Sequence, residues 1–177
     1  MIGIRSTSGC TKGFYTPPEN KKKQSMNVSI VTGTYNSAQY ISDCVSSVNR
    51  QDYKHLEHII IDGASSDDTV KIIESMPNRV SDLVSEPDGG IYNAMNKGLK
   101  RATGDILGIL NSDDFYNTDT VISEVVEAFE KHNADCVFGD LYYVKAEDTN
   151  SIVRKWVTGP YKTKGFRRGW HPAHPSF

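Results

Sequence analysis

The stretch Gly104-Asp105-Ile106-Leu107-Gly108-Ile109-Leu110-Asn111-Ser112-Asp113-Asp114 decides the fold. Its apolar run, residues 106–110, is bounded by turn residues, which predicts a strand covered on both faces. Such strands belong to parallel sheets with helices on either side. Ligands of open α/β sheets bind outside the carboxyl ends of the strands. The stretch therefore predicts an α/β fold with a ligand site directly after this strand.

The turn that follows the strand has two interpretations. Asn111, Asp113 and Asp114 carry oxygen ligands, and Mg²⁺ is usually held by one or two carboxylates plus substrate phosphates. A site for a metal-bound diphosphate is one interpretation. Asp and Ser at a strand-to-helix turn also satisfy free amide N–H groups as helix caps, which is the other. The residues alone leave both open.

Composition bounds the function classes. With 177 residues the chain is expected to form one domain with a substantial core. A net charge of -2 gives no broad electrostatic footprint for nucleic acid, so no nucleic-acid partner is expected. No stretch reaches the roughly 18 apolar residues of a membrane span, and the N-terminus lacks a secretory apolar region. A cytoplasmic location is therefore expected, and the three widely spaced cysteines fit reduced thiols.

The same strand-loop-helix pattern occurs upstream. Residues 28–32 and 56–61 predict buried strands, and residues 80–85 predict a weaker one. Each is followed by a loop of polar residues and then by apolar residues at helical spacing. The loop after the third strand contains Gly89 and Gly90 and leads into a helix that carries Lys97, a flexible point charge able to reach a phosphate or to remain in solvent.

The rest of the chain is less regular. An amphipathic helix is expected from Val121 to about His132, followed by a strand over residues 136–144 that could lie antiparallel at an edge. Asp140 in that strand is a candidate site residue, with a role in a turn as the alternative. His171 and His174, near the end of the chain, are candidates for contact with metal or phosphate.

Three regions are expected. Residues 1–25 predict a flexible N-terminal arm or extension, whose lysines at 21–23 are a candidate contact for acidic lipid headgroups. Residues 26–157 form the α/β domain. Residues 158–177 begin a further region, and their exposed aromatic composition predicts a native protein that continues beyond Phe177.

Three segments in chain order then support a family resemblance. Residues 28–36 read VSIVTGTYN, residues 61–69 read IDGASSDDT and residues 111–114 read NSDD. They are similar to the opening strand and loop, the D-G-x-S-x-D-x-T segment and the D-x-D metal motif of glycosyltransferase family 2. Residues 85–98, SEPDGGIYNAMNKG, resemble the bacterial transferases of colanic-acid and other exopolysaccharide clusters, and His174 begins a segment similar to their H-Q-x-x-F.

The resemblance implies a GT-A fold, a Rossmann-like three-layer α/β/α sandwich with a mostly parallel central sheet. It implies an inverting glycosyltransferase that takes sugar from a nucleoside-diphosphate sugar, UDP-sugar being favoured over GDP-sugar. The implied acceptor is a saccharide or a lipid-linked acceptor in bacterial cell-surface polysaccharide biosynthesis. The resemblance also implies that the enzyme associates peripherally with the inner face of the membrane. The implied cofactor is Mg²⁺ or Mn²⁺.

By the same resemblance, specific residues acquire roles. The nucleotide pocket is lined by Thr34, Tyr35 and Asn36, and Asp62 accepts a hydrogen bond from the base. Asp88 and Lys97 border the sugar diphosphate, while Asp113 holds the metal beside Asn111 and Asp114. The family's catalytic base lies in a later segment, expected beyond Phe177, with Asp140 and His174 as the weak candidates within the chain.

Two departures from the family pattern leave a second function open. Asn111 replaces the first Asp of D-x-D, and Met95 stands where many relatives have Arg. A noncatalytic nucleotide-sugar-binding domain is therefore the alternative. A nicotinamide-dependent oxidoreductase is disfavoured because the first loop has no G-x-G-x-x-G. A sugar nucleotidyltransferase is disfavoured because the Gly- and Arg-rich triphosphate loop is absent.

Overall fold

The computed structural model describes residues 2–12, 25–161 and 164–173. The strands and helices in these ranges are, in chain order, β1 (Ile2–Lys12), β2 (Val28–Thr34), α1 (Ile41–Asn49), β3 (Leu56–Asp62), α2 (Thr69–Ser75), β4 (Val80–Ser85), α3 (Ile91–Arg101), β5 (Ile106–Ile109), β6 (Asp114–Tyr116), α4 (Val121–His132), β7 (Ala134–Lys145) and β8 (Asp148–Trp156). None of the described helices combines the length and the apolar character needed to cross a bilayer.

The central sheet is parallel, with the strand order β4-β3-β2-β5. Its faces are covered by different helices because successive side chains of a strand point to opposite faces. Ile30 and Ile60 pack into one core with α1, α2 and α4, whereas Val31 and Ile59 pack into a second core with α3. This arrangement is the predicted three-layer α/β/α sandwich of a GT-A domain.

A second, mixed sheet has the strand order β6-β1-β7-β8. In this sheet β1 pairs in parallel with β6 and antiparallel with β7, and β7 pairs antiparallel with β8. The prediction of an antiparallel strand near residue 136 is confirmed. Its suggested edge position is wrong, because β7 lies between β1 and β8.

Two other expectations differ from the structure. Residues 106–110 were expected to be covered on both faces, but β5 is an outer strand of the described sheet and its Leu107 side chain is 52% exposed. Residues 1–25 were expected to form an arm, but Ile2–Lys12 is a strand, stabilised by backbone pairing with β6 and β7 that no local pattern reveals. The lysines at 21–23 lie outside the described residues.

Gly98 allows α3 to approach the central sheet closely. A Cβ atom at this position would overlap Cγ1 of Val31 on β2. We expect Gly98→Ala to lower the free energy of unfolding by about 1–3 kcal/mol, the usual effect of overpacking a close-packed core. Urea unfolding measures the change.

A matched control for this substitution is Gly89→Ala, where a Cβ atom would meet its nearest neighbour, Asn93 Cβ, at 3.7 Å. Equal stability of the two variants would contradict the overpacking argument. Combining Gly98→Ala with Val31→Ala removes the overlapping Cγ1 methyl group, so the double variant should lose less stability than the sum of the two single losses.

Candidate functional site

The carboxyl ends of the parallel strands meet at one edge of the central sheet. Thr34 at the end of β2 pairs in register with Asp62 at the end of β3, and Asp62 pairs with Ser85 at the end of β4. A cleft of about 480 Å³ opens above this edge. Its lining residues come from the end of β2, four loops and the start of α3: Gly33, Thr34, Tyr35, Ser37, Gly63, Pro87, Asp88, Gly90, Ile91, Ala94 and Ser112.

The loop after β2 supplies the cleft with a hydroxyl and an aromatic ring. The Thr34 side chain is buried, and its Oγ1 atom has no hydrogen-bond partner among the described residues. Tyr35 is 63% exposed at the cleft. Asn36 does not line the cleft, because its Oδ1 atom accepts a hydrogen bond from the Ser66 amide at 2.9 Å. It connects this loop to the loop after β3.

Asp62 is fully buried and organises the loop after β3. Its Oδ2 atom accepts hydrogen bonds from the Ser65 amide at 2.9 Å and from Ser85 Oγ at 2.6 Å. Its Oδ1 atom accepts a short hydrogen bond from the Ser65 hydroxyl. The carboxylate therefore holds the strand end and the loop together from inside.

The loop before α3 brings the only charged side chain among the lining residues. Asp88 lines the cleft, and its Oδ1 atom accepts a hydrogen bond from the Gly90 amide at 2.8 Å. Gly90 has φ +100, a backbone conformation that glycine adopts readily. This conformation lets the loop turn into α3 with the first residues of the helix facing the cleft.

Lys97 does not line the cleft. Its Nζ atom lies 2.8 Å from Glu86 Oε1, and this contact lowers the pKa of the Glu86 carboxyl. The lining residues thus include one carboxylate and no lysine or arginine. A diphosphate in this cleft would require positive charge from another source.

The three polar residues predicted to hold a metal, in the turn after β5, have different surroundings. Asp113 is exposed, and its carboxylate makes no hydrogen bond or ion pair within the described part of the chain. Asp114 is buried at the start of β6 and accepts a hydrogen bond from Asn111 Nδ2 at 3.2 Å. Asn111 Oδ1 accepts no hydrogen bond from the residues that the structure describes.

These residues fit a hard divalent cation that is completed by phosphate. Two oxygen donors, the Asp113 carboxylate and Asn111 Oδ1, match the one or two protein ligands that Mg²⁺ usually takes with substrate phosphates. Within residues 25–161 and 164–173, no three His, Cys, Asp or Glu side chains cluster as a self-sufficient metal site. The donor set depends on a phosphate-bearing ligand.

Of the two candidate catalytic residues, the structure describes only Asp140, which is not among the residues that line the cleft. Asp140 on β7 accepts a hydrogen bond from the Thr158 amide at 2.8 Å, which fixes the chain after β8. His174 lies outside the described residues. His171 Nδ1 lies 2.9 Å from the Pro172 carbonyl, and its ring packs near Trp156.

Sequence reasoning missed several residues of the site. Ser37 Oγ and Ser112 Oγ lie 2.9 Å apart, which joins the first loop to the turn after β5. Nothing in the sequence indicates this pairing, because the two serines are 75 positions apart. The pair of glycines before α3 indicates a sharp turn at this position, which could have predicted that Gly90 lines the cleft.

Comparisons with known proteins show sequence similarity over most of the chain. The model of the family described as Glycosyl transferase family 2 matches residues 29–176. The putative teichuronic acid biosynthesis glycosyltransferase TuaG of Bacillus subtilis is 32% identical over 75% of this chain and 53% of its own length. The chain spans about half or less of the length of the relatives it matches.

Two solved structures with bound donors share the fold. Staphylococcus aureus TarS 1-349 in complex with UDP-GlcNAc is 28% identical, with a TM-score of 0.56 over 62% of this chain and 33% of that one. The mannosyltransferase PcManGT from Pyrobaculum calidifontis, in complex with GDP-Man and Mn²⁺, is 28% identical, with a TM-score of 0.54 over 67% of this chain and 35% of that one.

Proposed function

Because the chain belongs to glycosyltransferase family 2, we propose that it is the donor-binding part of an inverting, metal-dependent glycosyltransferase. Its donor is a nucleoside-diphosphate sugar, UDP-sugar in preference to GDP-sugar. Its acceptor is a saccharide or a lipid-linked saccharide of bacterial cell-surface polysaccharide biosynthesis, met at the inner face of the membrane. The observation that carries the proposal is the cleft at the carboxyl ends of three parallel strands, where Thr34, Tyr35 and Asp88 meet.

The nucleoside is proposed to bind against the loops after β2 and β3. The exposed ring of Tyr35 offers a face for stacking, and the unpartnered Thr34 hydroxyl offers a hydrogen bond. For Asp62 to accept a hydrogen bond from the base, the Ser65 hydroxyl must release Asp62 Oδ1, because the carboxylate is fully buried. Preference for UDP is supported by the TarS complex with UDP-GlcNAc.

The diphosphate is proposed to bind a cation held by Asp113 and Asn111 Oδ1. Mg²⁺ or Mn²⁺ there would neutralise the charge that develops as the nucleoside diphosphate departs. This supply of charge matters because the described residues that line the cleft include no lysine or arginine. Lys97 pairs with Glu86 and keeps further N–H donors for a phosphate, and with Asp88 it is proposed to border the sugar diphosphate.

Inversion at the anomeric carbon requires a base that accepts the proton of the acceptor hydroxyl. Asp140 is already held by the Thr158 amide, which argues against this role. We therefore place the base outside the described residues.

The proposal is tested by thermal unfolding of the chain with UDP, GDP, CMP and NAD, each with and without Mn²⁺. A ligand at about 100 times its dissociation constant stabilises the folded state by about 2.7 kcal/mol. We expect UDP with Mn²⁺ to give the largest rise in Tm, roughly 5–10 °C for a domain of this size. Stabilisation by NAD alone would overturn the proposed site, as would no shift with any nucleotide.

Turnover by the longer protein separates catalysis from binding. If that protein binds UDP-sugar with Mn²⁺ but transfers no sugar to any saccharide or lipid-linked acceptor, the chain is a noncatalytic nucleotide-sugar-binding domain. Transfer with inversion at the anomeric carbon would support the full proposal.

A further inference from the structure

Charge is unevenly distributed along this chain. All 22 acidic residues lie at or before Asp148, so the segment from residue 149 to the end contains none. The same segment contains six of the 20 basic residues: Arg154, Lys155, Lys162, Lys164, Arg167 and Arg168. A chain with a net charge of -2 therefore ends in a segment of +6. Such a block indicates an anionic partner.

The structure places most of this charge on an exposed surface, here called the basic-aromatic face. It consists of β8 and the described residues after it. Five of its basic side chains are exposed: Arg154, Lys155, Lys164, Arg167 and Arg168. Four of its large apolar side chains are exposed as well: Ile152, Val153, Val157 and Phe166. One acidic residue, Asp148, begins β8, Glu147 lies in the turn before it, and Asp140 on β7 accepts a hydrogen bond from the Thr158 amide of this segment.

Aromatic rings hold two of the cations. The Arg154 guanidinium carbon lies 5.6 Å from the ring centroids of both Tyr143 and Trp156, and Lys155 Nζ lies 5.3 Å from the Tyr142 centroid. These are cation–π distances. Trp170 packs edge-on against Phe166 with centroids 5.6 Å apart. Because Arg154 and Lys155 are consecutive on β8, their cation–π contacts lie on opposite sides of the β7–β8 ribbon, and the basic-aromatic face is the exposed outer edge of this ribbon with the segment after it.

We propose that the basic-aromatic face docks on an anionic lipid bilayer. Basic side chains near a membrane surface attract anionic headgroups, and aromatic and aliphatic side chains enter the headgroup boundary. A soluble anion would account for the cations but not for Val153 and Val157, whose side chains are 65% and 71% exposed. A bilayer accounts for both classes of side chain.

The register of the second sheet relates this face to the donor cleft. Asp114 on β6 pairs with Ile2 on β1, Ile2 pairs with Tyr143 on β7, and Tyr143 pairs with Arg154 on β8. Three strand spacings separate Arg154 from the start of β6, which is about 14 Å. A docked chain would therefore keep the turn after β5, where the metal is proposed to bind, close to the membrane. This link, which rests on the proposed function, favours a lipid-linked acceptor.

The test measures binding of the 177-residue chain to vesicles without nucleotide. Vesicles of phosphatidylcholine are compared with vesicles of equal parts phosphatidylcholine and phosphatidylglycerol, by co-sedimentation and by tryptophan emission. The chain has two tryptophans, Trp156 and Trp170, and both lie on the basic-aromatic face. We expect binding to the anionic vesicles alone, a shift of emission to shorter wavelength, and weaker binding at high salt.

Three double variants locate the contact. Arg167→Gln with Arg168→Gln should weaken binding on the order of 30-fold, which is about 2 kcal/mol for two charges. Val153→Ser with Val157→Ser should also weaken it, whereas a soluble-anion site would not respond. Lys54→Gln with Lys100→Gln removes the same charge from exposed positions outside this face and should leave binding unchanged.

Equal binding to both vesicle types, binding to neither, or an equal loss in the Lys54/Lys100 control would each overturn the inference. Thermal unfolding confirms that each variant is folded. Failure of the proposed function is distinguishable from these results. If the chain binds anionic vesicles but no nucleotide, the docking surface is supported and the donor site is overturned. If it binds nucleotide but no vesicles, the donor site is supported and the docking surface is overturned.

Discussion

Asp113→Ala is expected to abolish the Mn²⁺-dependent part of stabilisation by UDP. Asp113 lies in the turn after β5, and its carboxylate is exposed. No side chain among the described residues forms a hydrogen bond or an ion pair with it. Loss of a group that only orients a metal ligand typically costs 10–100-fold in metal affinity, so removal of the ligand itself should cost at least about 100-fold. The corresponding stabilisation, about 2.7 kcal/mol, should disappear from urea unfolding curves measured with UDP and Mn²⁺.

Asp114→Ala is the matched control, because the neighbouring carboxylate has a different role. Asp114 is buried at the start of β6 and accepts the hydrogen bond from Asn111 Nδ2. Its removal should lower the free energy of unfolding by about 1–3 kcal/mol without ligand. Retention of the full Mn²⁺ effect in Asp113→Ala would contradict the assignment of the metal to Asp113. Its loss in a fully stable Asp114→Ala variant would move the metal to Asp114.

The fold was predictable where the signal is local. β2 and β3 are buried along most of their length, so their runs of apolar residues predict both strands directly. The helical spacing of apolar residues likewise predicts α4. β6 has three residues and no periodic pattern, and β8 has mostly exposed side chains. β1 pairs with strands more than a hundred residues away, which no local pattern encodes. These strands form only because the second sheet assembles around them.

The same limit applies to the site. The roles of Thr34, Tyr35 and Asp88 toward the donor stay predictions from the family resemblance, and the structure places all three at the cleft because parallel topology brings the strand ends together. Side-chain partners were not predictable. The ion pair of Lys97 with Glu86 and the burial of Asp114 depend on packing that only the folded chain defines.

His58 is expected to make the chain acid-sensitive. Its ring is fully buried on β3, with Nε2 2.9 Å from Thr32 Oγ1 and no hydrogen-bond partner for Nδ1 within the described residues. Burial lowers the pKa of His58 from 6.5 to about 3. Below pH 6.5 the unfolded chain binds a proton at this position that the folded chain does not bind. Stability therefore falls with pH until about pH 3 is reached.

From pH 6.5 to pH 4.5 this single proton should lower the free energy of unfolding by about 2 kcal/mol. Other groups titrate in the same range, so the measurement is the difference between the native chain and His58→Gln, from urea unfolding at both pH values. The native chain should lose about 2 kcal/mol more than the variant. His55→Gln, which replaces an exposed histidine three positions earlier, should follow the native chain. Equal pH dependence in the native chain and His58→Gln would show that His58 is protonated in the folded state, and its burial would then require a partner for the charged ring.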